Sequence, residues 1–174
     1  MRVKNRLYWI ATFIAVVLDQ LTKYWVVQSI KYWQVENISD ARTGFTIARR
    51  TLPLIQNVFH LTYVTNTGAG LGKLPGTVDW LRWVSLAVSL ALIAWALFGP
   101  ALQLWEQLGY GFILGGAMGN GIDRFVLRYV VDFFDFRLIN FYIFNVADIF
   151  ISVGLGCLLL DWYLHTRKSS SRRL

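Results

Sequence analysis

The chain has 174 residues, 56% hydrophobic and only 16% charged, with a formal net charge of +7 and a mean hydropathy of +0.46. A soluble domain carries about a quarter charged residues, so this composition excludes one and indicates a chain that hides its surface in lipid. The single cysteine, Cys157, excludes an internal disulfide framework and a multi-cysteine zinc site; within "GLGCLLL" it reads as a small apolar filler.

Four stretches approach the roughly 20 helical residues that cross a bilayer: 7–30, 80–98, 108–126 and 141–165. The first opens with "MRVKNR" and "LYWIATFIAVVL", which imitate a signal peptide, but no small-residue cleavage site follows. Instead "DQLTKYWVVQSI" continues the apolar pattern, so a retained span is expected. Asp19 and Lys23, four residues apart, share one of its faces.

Residues 31–79 follow as a long external segment. Within it "FHLTYVT" alternates, with Phe59, Leu61 and Tyr63 on one side and His60, Thr62 and Val64 on the other. That period reads as a strand. "GFTIARR" is a second strand candidate and "GLGKLPG" supplies turns, which predicts a small extracytoplasmic sheet between the first two helices. The tight loop 99–107 separates the second and third spans. In the third, Gly111, Gly115 and Gly119 form a small-xxx-small stripe that lets a neighbouring helix approach.

Seven of the 17 cationic residues sit at the ends, Arg2, Lys4 and Arg6 before the first span and Arg167, Lys168, Arg172 and Arg173 after the last. This distribution fits the positive-inside rule and not a nucleic-acid surface. Both termini are expected in the cytoplasm, with 31–79 and 127–140 on the far side and 166–174 as a disordered basic tail. The whole chain reads as one membrane domain and a monomer.

A charge near the middle of a span costs about 2.5–3.5 kcal/mol on the insertion scale, so intramembrane polar residues mark partners or function. The third span holds "GGAMGNGIDRF" with Asn120, Asp123 and Arg124; the fourth opens with "FNVAD", containing Asn145 and Asp148; and "VVDFFDF" before it contains Asp132 and Asp135. Asp19 with Lys23 and Asp123 with Arg124 read as structural pairs. Asp132 and Asp148 have no cation within one helical turn in sequence. Two close carboxyl groups cannot both ionise, so one acts as base on a water while its protonated partner polarises a carbonyl. Neither "HExxH" nor "GxSxG" occurs, and the chain has two histidines; the residues therefore favour peptide hydrolysis without a metal, another cofactor or a covalent nucleophile. The alternative is a small transporter or proton-relay subunit, in which intramembrane acids carry ions.

The five segments "LDQLTK", "LTYVTNTGAGLG", "GGAMGNGIDR", "VVDF" and "FNVAD" resemble, in order and spacing, the lipoprotein signal peptidases (type II signal peptidases) of bacteria, over residues 15 to about 155. The resemblance implies an aspartic endopeptidase of the cytoplasmic (inner) membrane. Such an enzyme removes signal peptides from diacylglyceryl-modified prolipoproteins, cutting before the lipid-bearing cysteine on the extracytoplasmic side. It also implies contact with membrane lipids and inhibition by the cyclic peptide globomycin. Carried over by motif, Asp132 and Asp148 are the catalytic dyad, with Asp123 and Asp148 as the fallback pair. Supporting positions are Asp19, Lys23, Asn66, Gly68, Gly116, Asn120, Asp123, Arg124, Asn145 and Ala147. Asn66 and Asn145 suit the substrate backbone, Arg124 the ordering of the segment that carries Asp132, and Ala147 leaves room beside the dyad. Asp135 matches no essential position and reads as a solvated loop charge. Two departures stand out: Gly70 and Leu71 replace the usual Ala and Phe of "NTGAAFG", and an insert over 36–50 has no functional reading.

Overall fold

The computed structural model describes residues 5–39, 46–68, 78–139 and 141–171. In chain order it has helix α1 (Arg6–Ser29), a single 3-10 turn (Ile30–Tyr32), strands β1 (Gln34–Ser39), β2 (Thr46–Ile55) and β3 (Phe59–Asn66), helices α2 (Val78–Phe98) and α3 (Leu104–Val126), strand β4 (Val130–Phe136) and helix α4 (Val146–Ser171). The chain divides into two compact units. One contains α1 through Asp19, α2 from Arg82, α3 through Ile122, and α4; the other contains Gln20–Leu81 and Asp123–Asn145.

In the helical unit, the glycines of α3 set the packing. Gly111 and Gly115 lie against Tyr8, Ala11, Thr12 and Ala15 of α1, while Gly109 and Gly116 lie against Ala147, Ile151, Gly154 and Leu158 of α4. Spacings of four and seven residues keep each pair on one face, and the offset of two residues between Gly109 and Gly111 turns those faces to different sides of the helix, so α3 meets a neighbour on each. A buried cluster of Tyr8, Ala96, Leu102 and Leu114, flanked by Trp9, Leu92 and Ile93, joins α1 and α3 to α2. Polar bonds reinforce it: the Tyr8 hydroxyl donates to the Leu92 carbonyl at 2.9 Å. Asn5 donates from Nδ2 to the Ala96 carbonyl and accepts at Oδ1 from the Leu102 N–H. With no water in a bilayer to satisfy them, such groups must pair within the protein.

Among the described residues, three helical stretches are long and apolar enough to cross a membrane: Arg6–Tyr32, Asp79–Phe98 and Val146–Thr166. They carry many exposed large apolar side chains, including Phe13, Leu21, Leu90 and Leu159, as a lipid-facing surface would. α3 has the length, but its glycines and its polar end make it less apolar, and the predicted fourth span is not among the three.

The second unit holds one antiparallel sheet in the order β1-β2-β3-β4. The sheet was expected between the first two helices. Its fourth strand instead comes from the segment between α3 and α4, where a loop was predicted, and it pairs with β3. β3 and β4 do not run in simple register. From Leu61 opposite Phe134 to Val64 opposite Asp132, β3 advances three residues and β4 two, so Thr62 and Tyr63 stand against Phe133 alone. This is a β-bulge, and a one-residue slip of this kind moves all later side chains to the other face.

The two faces of the sheet differ. One carries the packed rings of Phe59, Phe134 and Phe136, with Phe144 stacked on Phe136. The other carries Thr51, His60, Thr62 and Asp135, all buried. The expected disordered tail is also corrected in part, because α4 continues beyond His165 to Ser171.

Candidate active site

Asp132 is buried on β4, 3% exposed, and amides hold both of its oxygens. Asn145 Nδ2 donates to Oδ1 at 2.7 Å and Asn66 Nδ2 donates to Oδ2 at 2.9 Å. Each amide is itself positioned. Asn66 Oδ1 accepts the backbone N–H of Gly68 at 3.0 Å, a local turn closing the end of β3. Asn145 also reaches the Val131 carbonyl at 3.3 Å, and its backbone is brought alongside β4 because Phe144 and Phe134 exchange backbone hydrogen bonds at 2.8 and 3.2 Å. Donors on both oxygens suit a carboxylate rather than a carboxylic acid.

Below β4 lies a buried ion pair. Lys23 Nζ is 3.0 Å from Asp123 Oδ2, both side chains being 4% exposed. Gln20 Nε2 donates to Asp123 Oδ1 at 3.1 Å, and Asp123 Oδ2 accepts the Val131 N–H at 3.1 Å. Asp123 thus ties α1 to the first residues of β4, one position from Asp132. The partner predicted for it was Arg124, which stands half-buried in the last turn of α3. The Asp123 carboxylate, the first member of the fallback pair with Asp148, is thus bonded to an ammonium and a backbone N–H.

In the helical unit, Asp148 is half-buried in the first turn of α4. Asn120 Nδ2 of α3 donates to its Oδ1 at 3.0 Å. Asp19, fully buried, accepts the Ala147 N–H at 2.9 Å, so a carboxylate from α1 satisfies one of the orphan donors at the start of α4. Two glycines permit this. A Cβ on Gly119 would run into the Asp19 carboxylate, and a Cβ on Gly116 would stand 2.5 Å from the Ala147 carbonyl oxygen and 2.6 Å from Ile151 Cγ1. All twelve residues singled out in the sequence are therefore described. Asn66, Gly68, Asp132 and Asn145 form one group, Lys23 and Asp123 a second, and Asp19, Gly116, Asn120, Ala147 and Asp148 a third; the twelfth, Arg124, follows Asp123 in the last turn of α3. The substitutions at Gly70 and Leu71 lie outside the described residues.

Asp135 is not the solvated charge expected. It is buried, accepts from Thr62 Oγ1 at 2.6 Å and pairs with Arg137 Nε at 3.0 Å. Arg137 Nη1 also reaches Glu36 Oε1 at 2.9 Å. The Arg137 hydrogen bond holds the Glu36 carboxyl below its ordinary value, whereas burial, followed by the nearby guanidinium, lowers His60. His60 Nε2 is buried with no hydrogen-bond partner among the described residues, which fits a neutral ring. Sequence reading missed Glu36, Thr62 and Arg137. The available signal was the alternation of β3, which already put His60 and Thr62 on one side. Among the described residues, no three His, Cys, Asp or Glu side chains gather as a metal site.

Comparison with known proteins bears on these groups. A sequence model of the family described as signal peptidase (SPase) II matches residues 11–164. The chain is 60% identical over 172 residues to a lipoprotein signal peptidase of Nostoc punctiforme, covering 99% of each chain. It is 61% identical over 160 residues to one of Trichormus variabilis, covering 92% of this chain and 91% of the relative. Among solved structures, it is similar to a bacterial membrane enzyme determined by the in meso method at 2.3 Å resolution, with a TM-score of 0.72 at 25% identity over 91% of this chain and 88% of the other. A second such structure, at 1.9 Å, gives a TM-score of 0.70 at 25% identity over 93% and 97%.

Proposed function

The chain belongs to the signal peptidase II family, and from that premise we propose that it hydrolyses its peptide bond as an aspartic endopeptidase, with Asp132 and Asp148 as the catalytic pair. It is a multi-pass membrane protease that removes signal peptides from prolipoproteins. Family membership at this identity displaces the transporter reading.

The observation that carries the aspartic assignment is the amide clamp on Asp132, on a motif residue embedded in apolar sequence. In this reading Asp132 is the ionised base that takes a proton from water. Asp148 carries the proton shared by the pair and hydrogen-bonds the scissile carbonyl oxygen, so that negative charge developing there is neutralised. Water adds to the carbonyl carbon, the C–N bond breaks, and the proton gained by Asp132 passes to the departing amine. Asn120 orients Asp148; Asn66 and Asn145 orient Asp132. Lys23, Asp123 and Arg124 hold the start of β4, while Asp19, Gly116 and Ala147 hold the start of α4.

The scissile bond precedes the diacylglyceryl-modified cysteine. The polypeptide acts as one domain and a monomer in the cytoplasmic membrane, with α3 as a fourth span, both termini inside, and the sheet and active site on the extracytoplasmic surface among lipid headgroups. Globomycin occupies the same site. The mechanism is tested by single-turnover cleavage of a lipidated prolipoprotein in the presence of EDTA and hydroxylamine. Direct attack by water gives only the free carboxylate of the signal peptide, at an undiminished rate. A hydroxamate product would reveal an acyl-enzyme, and loss of activity on chelation would reveal a metal; either result sinks the proposal.

A further inference from the structure

We propose that Arg137 is a positioning residue for Asp132: joined to Glu36, Asp135 and Thr62, it fixes the β3 bulge that turns Asn66 toward the Asp132 carboxylate. The inference rests on the reading of Asp132 as one of the catalytic pair.

Register carries the first step. Residues directly opposite one another in a sheet share a face, so Phe59 with Phe136 and Leu61 with Phe134 define one face, to which Asp132 also belongs by its two-residue offset from Phe134. Without the bulge, the odd-numbered residues of β3 would continue on that face and Asn66 would project from the other. Two residues against one at Phe133 exchange the parity, so Val64 and Asn66 join Asp132. The 2.9 Å bond from Asn66 to Asp132 therefore exists because the bulge does.

Side-chain bonds pin the bulge. Thr62 donates to Asp135 Oδ2, and its hydroxyl lies 3.0 Å from that of Thr51. Asp135 also accepts from the Arg137 guanidinium, whose Nη2 comes within 3.5 Å of both threonine hydroxyls. The backbone N–H of Arg137 donates to the Val58 carbonyl at 3.0 Å, anchoring the arginine beside the β2–β3 turn. Its remaining arm reaches Glu36, which lies on β1, within the insert that had no functional reading. Glu36, Thr51, Thr62 and Asp135 come from four different strands. One planar guanidinium, with its rigid fork of donors, closes them into a single network, and the inserted hairpin thereby supports the end of β3 that holds Asn66.

A network that only stabilised the sheet would change the amount of folded enzyme, not the chemistry of each folded molecule. The two are separated by a double-mutant cycle on the purified full-length enzyme, using kcat and KM for a lipidated prolipoprotein, corrected for the folded fraction. Arg137→Met lowers kcat by about tenfold to a hundredfold, the scale of a small misplacement of a catalytic group, with KM within about twofold. Asn66→Ala does the same. Because both act through one bond, the double variant is no slower than the slower single variant. Multiplied losses in the double variant would overturn the inference. If Arg137→Met does not fold, Glu36→Gln replaces it, since Glu36 is 41% exposed at its side chain and the substitution is nearly isosteric. Its few-fold loss of kcat is present with Asn66 and absent in the Asn66→Ala background; an equal loss in both backgrounds overturns the inference. Asp132→Asn is assayed in parallel. Wild-type activity there removes the catalytic reading itself, whereas an inactive Asp132→Asn beside a multiplicative cycle removes only the role of Arg137.

Discussion

The two units hold their motif aspartates by different physics. In the helical unit, Asp148 is placed by close helix packing: glycines on α3 let α4 approach, and the Asp19 carboxylate caps the first turn of α4. In the sheet unit, Asp132 is placed by strand register and by amides that reach it from β3 and from the segment before α4. Volume governs the first arrangement; charge and hydrogen bonding govern the second. Each should therefore fail under a different kind of substitution.

The largest effect belongs to the sheet unit. Lys23→Met leaves Asp123 buried without its cation, at a cost of about 3–5 kcal/mol, the usual range for breaking a buried pair by removing one partner. Unfolding of the detergent-solubilised protein measures it. Adding Asp123→Asn recovers most of the loss, and an unchanged midpoint in Lys23→Met would show that the pair contributes little. In the helical unit, Gly116→Ala forces α4 away from α3 and costs about 1–3 kcal/mol, typical of overpacking. Cleavage activity falls through the placement of Asp148, with the amide clamp on Asp132 intact. Full stability and activity in Gly116→Ala would break the distinction between the units.

The smallest effect is pH dependence, and it sharpens the comparison because His60 and Glu36 both lie on the sheet. His60 faces Arg137, Glu36 and Asp135, and its folded value lies below the ordinary 6.5; Glu36 lies below its ordinary 4.5. Above pH 6.5 neither group opposes folding. As pH falls through 6.5, the unfolded chain takes a proton that the buried ring refuses, and below 4.5 it takes another at Glu36, so both groups weaken the sheet on acidification. Amide hydrogen exchange in β1–β3, corrected for intrinsic rates, should quicken between pH 6.5 and 4 relative to α2. His60→Gln should remove the upper part of that change, and equal acid sensitivity in both regions would contradict the assignment.

Much of the helical unit was legible in sequence. Apolar runs set α1 and α2 to within a few residues, and the glycine stripe of α3 packs on a neighbouring helix as its spacing predicted. β3 was equally readable, because alternation is a local signal. β4 was not. "VVDFFDF" becomes a strand through its pairing with β3, some seventy residues earlier in the chain, and strand formation depends on such partners more than on intrinsic preference. The same distance hid Asp135, whose partner Thr62 is 73 residues away, and Asp19, which bonds Ala147 across 128 residues. Motif order singled out the candidate site residues without revealing which ones touch.

The pairing of two carboxyl groups as the catalytic unit is tested most directly by assaying Asp132→Asn and Asp148→Asn, each purified in the folded state, for release of signal peptide from a lipidated prolipoprotein. Both variants should lose at least about a thousandfold in kcat, within the range for removing a general acid or base, while unfolding at the wild-type midpoint. Wild-type turnover in either variant would contradict the account.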